Sequence, residues 1–368
     1  MNQFFIGLMS GTSADGIDAA LVEFTPAPEL RASHFLAYDP VLRTRILQLA
    51  AGDAAGDAID IAGGLDTELG EWFARAANAL LEKEKIPAQQ LRAIGSHGQT
   101  IRHRPNNPHP FSWQIADPNV IAARTGVTVV ADFRRRDLAL GGQGAPLVPA
   151  FHRAVFSDPN ESRAVVNIGG IANVTLLPMD QSPVTGFDTG PGNVLLDIWS
   201  SRQLKQSHDA DGAFAATGHV DTDLLHALLA DAYFTAPPPK STGREHFNAA
   251  WLDRHLQHTR VSAQDVMATL VELSAQSILD AILHHAVHTA RVLVCGGGTH
   301  NRYLMQRLES LFGESRVAST EQYGIHPDWV EAMAFAWLAH ETLENRPGNL
   351  PDVTGASRAT VLGAIYPV

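Results

Sequence analysis

An α/β protein of two domains is the fold class that this sequence predicts, and three observations predict it. The chain has 368 residues, about two domains at roughly 150 residues each. Short β-prone runs alternate with amphipathic helical stretches along it. The two halves open alike, each with a Gly-rich hairpin, which makes a weak internal repeat. Composition agrees, since 45% hydrophobic and 18% charged residues suit a chain that buries a core.

In the first half, residues 4–9 and 17–24 are apolar and β-prone. Asp15-Gly16, at the end of the turn-like run 11–16 between them, predicts a hairpin. A helix follows over about 59–85, with Trp72, Phe73, Ala76, Leu80 and Leu81 at helical spacing and a break expected near Gly63-Gly64. Residues 91–95 read as a short strand opening into Ser96-His97-Gly98-Gln99-Thr100. The proline-rich tract 104–110 reads as a loop, and 127–131 as a buried strand leading into Arg134-Arg135-Arg136.

The second half repeats the opening. Residues 163–168 are a strand, Gly169-Gly170 a turn and 171–177 the returning strand. A strand over 184–187 is expected to end at Asp188. Pro237-Pro238-Pro239 marks a connection before a mostly helical stretch to about 290. The strand 291–295 breaks at Gly296-Gly297-Gly298, and a helix starts at Arg302 with Thr299 or Asn301 placed to cap it. Glu331 opens an apolar helix over 332–338. The expected division is a first domain over 1–131 and a second over 132–344, with 345–368 packing back on the first.

Charge and composition exclude several classes. Against 27 Lys+Arg stand 39 Asp+Glu, a net charge of −12, which disfavours nucleic acid or an anionic membrane as partner. The single Cys295 excludes a disulfide framework and a Cys-rich zinc site. No apolar run is expected to reach the ~18–20 residues of a spanning helix. No Lys or Arg precedes the apolar residues 4–9, as a signal peptide requires. The expectation is a soluble, cytoplasmic protein. Only four residues are lysine, none of them after a glycine loop, so any nucleotide is held without a Walker-type motif.

Hairpin tips rich in Gly, Ser and Thr present backbone N–H groups and hydroxyls to phosphate oxygens. A strand–triple-glycine–helix junction brings backbone close to a flat ligand and aims a helix N-terminus at negative charge. Each element alone also suits a plain tight turn; the three in this order point to a phosphate cradle. His284 and His288 stand at i, i+4, but no nearby carboxylate or cysteine completes a metal site, and an exposed helix face accounts for them.

The blocks at 7–18, 95–100, 141–147, 167–173, 186–193 and 331–336 together resemble the anhydro-N-acetylmuramic acid kinase family, in family order and over nearly the whole chain. The resemblance implies two ribonuclease-H-like domains with an interdomain active-site cleft, as in the sugar kinases and actin. It implies that ATP and water convert 1,6-anhydro-N-acetylmuramic acid into N-acetylmuramic acid 6-phosphate and ADP, in recycling of cell-wall sugar, and it suggests a homodimer. Nucleotide contacts are implied at Gly11, Thr12, Ser13, Ala14, Asp15, Gly16, Ile17 and Asp18. Further ones are implied at Gly169, Gly170, Asn173, Gly190, Gly192, Asn193, Gly296, Gly297 and Gly298. Sugar contacts are implied at His97, Gly98, Gln99, Asp117 and Arg134, and catalysis at Asp188 and Glu331. Mg²⁺ prefers oxygen ligands, so Asp15 and Asp18 are its candidate holders, with Asp188 a third, directly or through water.

The residues themselves fit those roles beside plainer ones. Water needs a positioned base, and Asp188 is a candidate, although an Asx turn over Thr189-Gly190 would also explain it. Glu331 could help orient water or merely compensate a helix dipole. Arg134 could pair with the lactyl carboxylate, or the arginine triplet could be a solvated run. The tract 240–244 resembles a family block without a role. Two further classes compete: an actin-type assembly ATPase, which needs no sugar, and a metal-dependent glycoside-processing enzyme, which the histidine pair would have to support.

Overall fold

The computed structural model describes residues 4–25, 27–257, 259–286, 288–313 and 316–368. Its strands in chain order are β1 (Phe4–Ser10), β2 (Gly16–Phe24), β3 (Pro28–Ala37), β4 (Leu91–Arg104), β5 (Phe111–Ile115) and β6 (Val129–Ala131). They continue as β7 (Arg163–Ile168), β8 (Ile171–Leu177), β9 (Thr185–Pro191), β10 (Arg291–Cys295), β11 (Val317–Ser319) and β12 (Ala364–Tyr366).

One sheet runs β12-β6-β4-β1-β2-β3, with β5 paired to β4, and the other runs β11-β10-β7-β8-β9. In each, three consecutive strands pair antiparallel, and two later strands add in parallel on the free side of the first strand. The weak sequence repeat is therefore a repeated topology, the ribonuclease-H-like order, once in each half.

By its contacts the chain divides into Met1–Phe151 with Trp329–Val368, and His152–Asp328. This differs from the expected boundary at 131/132, and hydrogen bonds give the reason. Asp137 accepts from Asn349 Nδ2 at 2.7 Å and from Thr354 Oγ1 at 2.8 Å, while Arg134 donates to His97, so 132–151 stay with the first sheet. The helix Val330–Leu343 also belongs there. It crosses β1 and β4 at Gly7 and Gly95, where a Cβ would overlap the Ala332 and Phe335 carbonyl oxygens.

The helix Ala58–Glu84 is unbroken, against the expected break at Gly63-Gly64. Two helical glycines cost about 2 kcal/mol together. Burial of Leu65, Leu69, Phe73 and Leu80 against Ile6 and Leu8 returns more, at ~1.5–3 kcal/mol per large side chain. Its start is capped by Asp57, whose side chain accepts from Ile59 N and Asp60 N. β3 and the helix Pro40–Ala51 carry no sharp pattern and were not expected.

β4 runs through Ser96–Thr100 instead of ending at Gly95. A bulge against β1 after Ser96 and the positive φ of Gly98 (+74°) let it continue. In the second unit the helix Ala263–His285 is the core element, packing Leu270, Leu273 and Ile278 against Val166, Ile168 and Val174. By length and hydropathy it could cross a membrane, contrary to the expectation that no such segment exists. Its most apolar window is 78% buried inside the protein, the environment of a core helix.

Candidate active site

β9 carries Asp188 through its middle, so the residue lies within a strand and not at its end. Three backbone and side-chain contacts hold it. Its backbone N donates to Lys240 O at 3.2 Å, its Oδ2 accepts from Thr242 N at 3.0 Å, and its carbonyl accepts from Tyr233 Oη at 2.7 Å. The side chain thus accepts from a distant segment, and the Asx-turn reading fails. Lys240 in turn donates to the Tyr233 and Phe234 carbonyls and lies 4.7 Å from the centre of the Tyr233 ring. The tract without a role in the sequence is the clamp on Asp188.

Burial pushes the Asp188 carboxyl up to about 6, with the Glu245 charge adding to it; the Thr242 N–H and Lys240 pull the other way. The result is a half-buried carboxylate poised near neutrality, the range suited to a general base.

Beyond Asp188 the chain returns to the second hairpin. Gly192 N donates to Gly170 O at 2.9 Å, Asn193 N to Gly169 O at 2.8 Å and Val194 N to Gly170 O at 3.0 Å. Asn193 Nδ2 reaches Ile168 O at 3.3 Å, and Asn173 lies opposite Asn167 and Asp188 in the sheet. The N-terminus of the helix Val194–Gln203 is therefore capped by the tip's own carbonyls, which immobilises the tip. A Cβ at Gly192 would overlap the Gly169 carbonyl, whereas Cβ atoms at Gly169 and Gly170 would meet nothing nearer than 3.5 and 4.0 Å. Gly190 is closed by Phe234.

The triple glycine packs on the same hairpin. Gly296 (φ +81°) donates to Pro327 O at 3.0 Å, and its Cβ would overlap Asn167 Oδ1; that of Gly298 would overlap Ile168. Gly297 has no atom within 4 Å of where a Cβ would stand. Asn301, not Thr299, caps the next helix, accepting from Leu304 N at 3.0 Å.

In the first unit, Ser10 Oγ lies 2.8 Å from Gly16 O and 2.7 Å from Gln99 Oε1, and Gln99 Nε2 donates to Gly11 O at 3.1 Å. Gln99 is buried and braces the tip, where a sugar contact was expected. Ala14 adopts φ +52°, Ile17 is in the core, and Thr12 and Ser13 form the tip. Asp15 is exposed, 3.1 Å from Arg43 Nη2, and Asp18 lies in β2 opposite Met9 and Phe35.

A second cluster joins residues far apart in sequence. Arg134 Nη2 and Nε donate to His97 Nε2 at 2.8 and 3.3 Å, and Nη1 donates to Gly144 O at 2.8 Å. Burial lowers the guanidinium to about 10, still charged at neutral pH, while the Glu331 and Asp137 charges support it. Because His97 accepts at Nε2, it is neutral; burial and Arg134 hold it well below the usual histidine range. The arginine triplet splits, since Arg135 pairs with Asp132 at 2.7 Å and Arg136 is exposed. Asp117 caps the helix Pro118–Thr125, accepting from Asn119 N at 2.8 Å.

Among the described residues no group of three or more His, Cys, Asp or Glu side chains is gathered for a metal. His284 Nδ1 bonds the Asp280 carbonyl of its own helix at 2.8 Å. Sequence reading missed Tyr233, Thr242 and the buried Asp137, which accepts from Gly144 N at 2.8 Å and so holds the loop 141–147. One signal was available for the clamp: Lys240 is one of only four lysines.

The family model of anhydro-N-acetylmuramic acid kinase matches residues 3–368. The chain belongs to the anhydro-N-acetylmuramic acid kinase family. It is 53% identical over 367 residues to the anhydro-N-acetylmuramic acid kinase of Xylella fastidiosa, covering 99% of this chain and 96% of the relative. It is 54% identical over 367 residues to that of Xanthomonas axonopodis pv. citri (99% and 98%) and 51% identical over 363 residues to that of Coxiella burnetii (98% and 97%). As an anhydro-N-acetylmuramic acid kinase family member the protein is a kinase, which sets aside the assembly and metal-dependent alternatives.

The glycines of the two tips and of the run 296–298 differ in how closely they are packed. A Cβ at Gly297 would stand in open space and one at Gly11, Gly169 or Gly170 would make only ordinary van der Waals contact, while Gly192, Gly296 and Gly298 are locked by packing. Gly297→Val is expected to fold normally and to raise the KM for ATP roughly tenfold or more with little change in kcat. The Cβ would stand in open space, and the branched side chain would fill room next to the platform. Equal losses in kcat and ATP affinity, read by steady-state kinetics, would show that the platform is not a nucleotide site.

Proposed function

We propose that the protein opens the anhydro bridge of 1,6-anhydro-N-acetylmuramic acid with water and transfers the γ-phosphoryl group of ATP to O6. The products are N-acetylmuramic acid 6-phosphate and ADP, and the step recycles peptidoglycan sugar. The observation that carries this reading is the clamped, half-buried Asp188 with its carboxyl raised to about 6, beside a phosphate-ready hairpin and glycine platform in the same unit.

Asp188 accepts the proton of the attacking water, and the Thr242 N–H and the Tyr233 hydroxyl fix its orientation. Glu331 is the second carboxylate at the sugar, opposed in charge by Arg134, which also pairs with the lactyl carboxylate. Backbone N–H groups of the two tips bind phosphate oxygens. Mg²⁺, an oxygen-seeking cation, would be held by Asp15 and Asp18, directly or through water, and would neutralise phosphate charge. Action in the cytoplasm and a homodimeric state are part of the proposal.

Isotope labelling tests the coupling of ring opening to phosphorylation. In ¹⁸O-water the label is expected on the anomeric hydroxyl, before mutarotation, and none in the phosphate ester, because O6 stays on its carbon. ATP hydrolysis without sugar is expected to be slow. Label in the ester, or rapid sugar-free ADP release, would refute the coupled reaction.

A further inference from the structure

Two segments hold Asp188, and one carboxylate further along the chain holds both of them. Tyr233 reaches the Asp188 carbonyl from the short helix Ala232–Thr235, and residues 240–242 supply the Lys240 carbonyl and the Thr242 N–H. Asp231 caps that helix: its Oδ1 accepts from Tyr233 N at 2.9 Å, and its carbonyl accepts from Phe234 N at 3.1 Å. Its Oδ2 accepts from His246 Nε2 at 3.0 Å and from Trp251 Nε1 at 2.8 Å.

Each of these donors has a definite place. His246 is tied to the 240–242 run by the turn at Gly243, whose carbonyl accepts from His246 N at 3.1 Å and from Phe247 N at 3.0 Å. Trp251, on the helix Ala249–Leu256, is the fixed point, 1% exposed within the core of the second unit. One carboxylate thus ties both arms of the Asp188 clamp to one buried ring.

The second arm has little else to hold it. Within 236–248 only Phe247 is buried, so this irregular stretch gains little from the core and depends on its hydrogen bonds. Burial raises the Asp231 carboxyl, but donation from Trp251, Tyr233 N and His246 outweighs it and leaves the group below the usual aspartate range. An ionised acceptor makes all three bonds stronger than neutral ones. Such rigidity matters at a base, because a misplacement of about 1 Å can cost ~10²-fold in rate.

We propose that Asp231 is a positioning residue for the reaction: it fixes the Asp188 carboxylate by anchoring Tyr233 and, through His246, the 240–242 run to Trp251. The proposal rests on the function proposed above, in which Asp188 is the base. The influence of Asp231 passes through Tyr233 and His246, so its removal slows turnover without emptying a binding site.

The test is made on the full chain by sugar-dependent ADP release. His246→Ala cuts one arm and leaves the helix cap and the Trp251 bond in place. It is expected to lower kcat about tenfold and to leave the KM values for ATP and sugar within about twofold. Its melting temperature is expected to stay within a few degrees of the wild type. His246→Gln, whose amide can donate to Asp231 Oδ2, is expected to restore most of the rate. Asp231→Asn should slow turnover at least as much as His246→Ala. In an Asp188→Asn background neither substitution should lower the residual rate further, because the group that they position is gone. Wild-type kcat in His246→Ala, losses shared equally by kcat and both KM values, no rescue by glutamine, or losses that add to that of Asp188→Asn would overturn the assignment. The two His246 variants keep the test decisive if Asp231→Asn does not fold. A wild-type chain that releases no ADP with the sugar would instead sink the functional reading beneath the proposal, and that is read before any variant is made.

Discussion

Asp188→Asn is expected to lose at least ~10²-fold in kcat while its affinity for ATP stays near that of the wild type. Asparagine keeps the size of the side chain and can still accept from Thr242 N, so the clamp survives. What disappears is the capacity to take a proton from water. The same carboxylate sets a pH limb. A base works only when deprotonated, and a carboxyl raised to about 6 begins to protonate well above the ordinary aspartate range. The rate should therefore fall tenfold per pH unit below about 6. Glu245→Gln removes a charge that raises the Asp188 carboxyl, so the limb should move to lower pH. Wild-type turnover by the asparagine variant, measured by sugar-dependent ADP release, would reduce Asp188 to a structural residue.

Gly7→Ala is expected to destabilise the first unit by about 3 kcal/mol, the upper part of the usual range for overpacking. The added methyl would overlap the backbone carbonyl of Ala332, which no rotamer change can relieve. The helix Val330–Leu343 would have to lift from β1, and Glu331 sits in its first turn. A drop of roughly 6–12 °C in melting temperature follows for a unit of this size, with sugar turnover reduced in the fraction that stays folded. Gly63→Ala provides the opposite sign. Its Cβ would meet nothing within 4 Å, and replacing a helical glycine by alanine should add about 1 kcal/mol. Equal melting temperatures for the two variants would refute the close-approach argument.

Local chemistry was legible because it is local. The turn run 11–16, the pair Gly169-Gly170 and the glycines 296–298 all stand where expected, since backbone freedom at a glycine is a property of that residue. Boundaries were less legible. The break at Gly63-Gly64 did not occur because packing over the whole helix outweighs two weak residues. β4 passes its expected end because pairing with β5 and a bulge carry it on.

By itself the sequence determined the α/β class, the doubled opening of the two halves, the phosphate-suited tips and, through the blocks from 7 to 336, the family. Each depends on residue type, spacing or order, which a chain retains whether or not it is folded. Only the tertiary structure decided what those residues touch. It set Thr242 and Lys240 against Asp188, 52–54 positions away, turned Gln99 into the brace of the first tip, and joined Arg134 to His97. It also returned the helix Val330–Leu343 to the first sheet through Gly7 and Gly95. The physical reason is that burial and hydrogen bonding act between residues brought close by the sheets. Distance along the chain carries no record of that closeness, and the pKa of Asp188 is set by it.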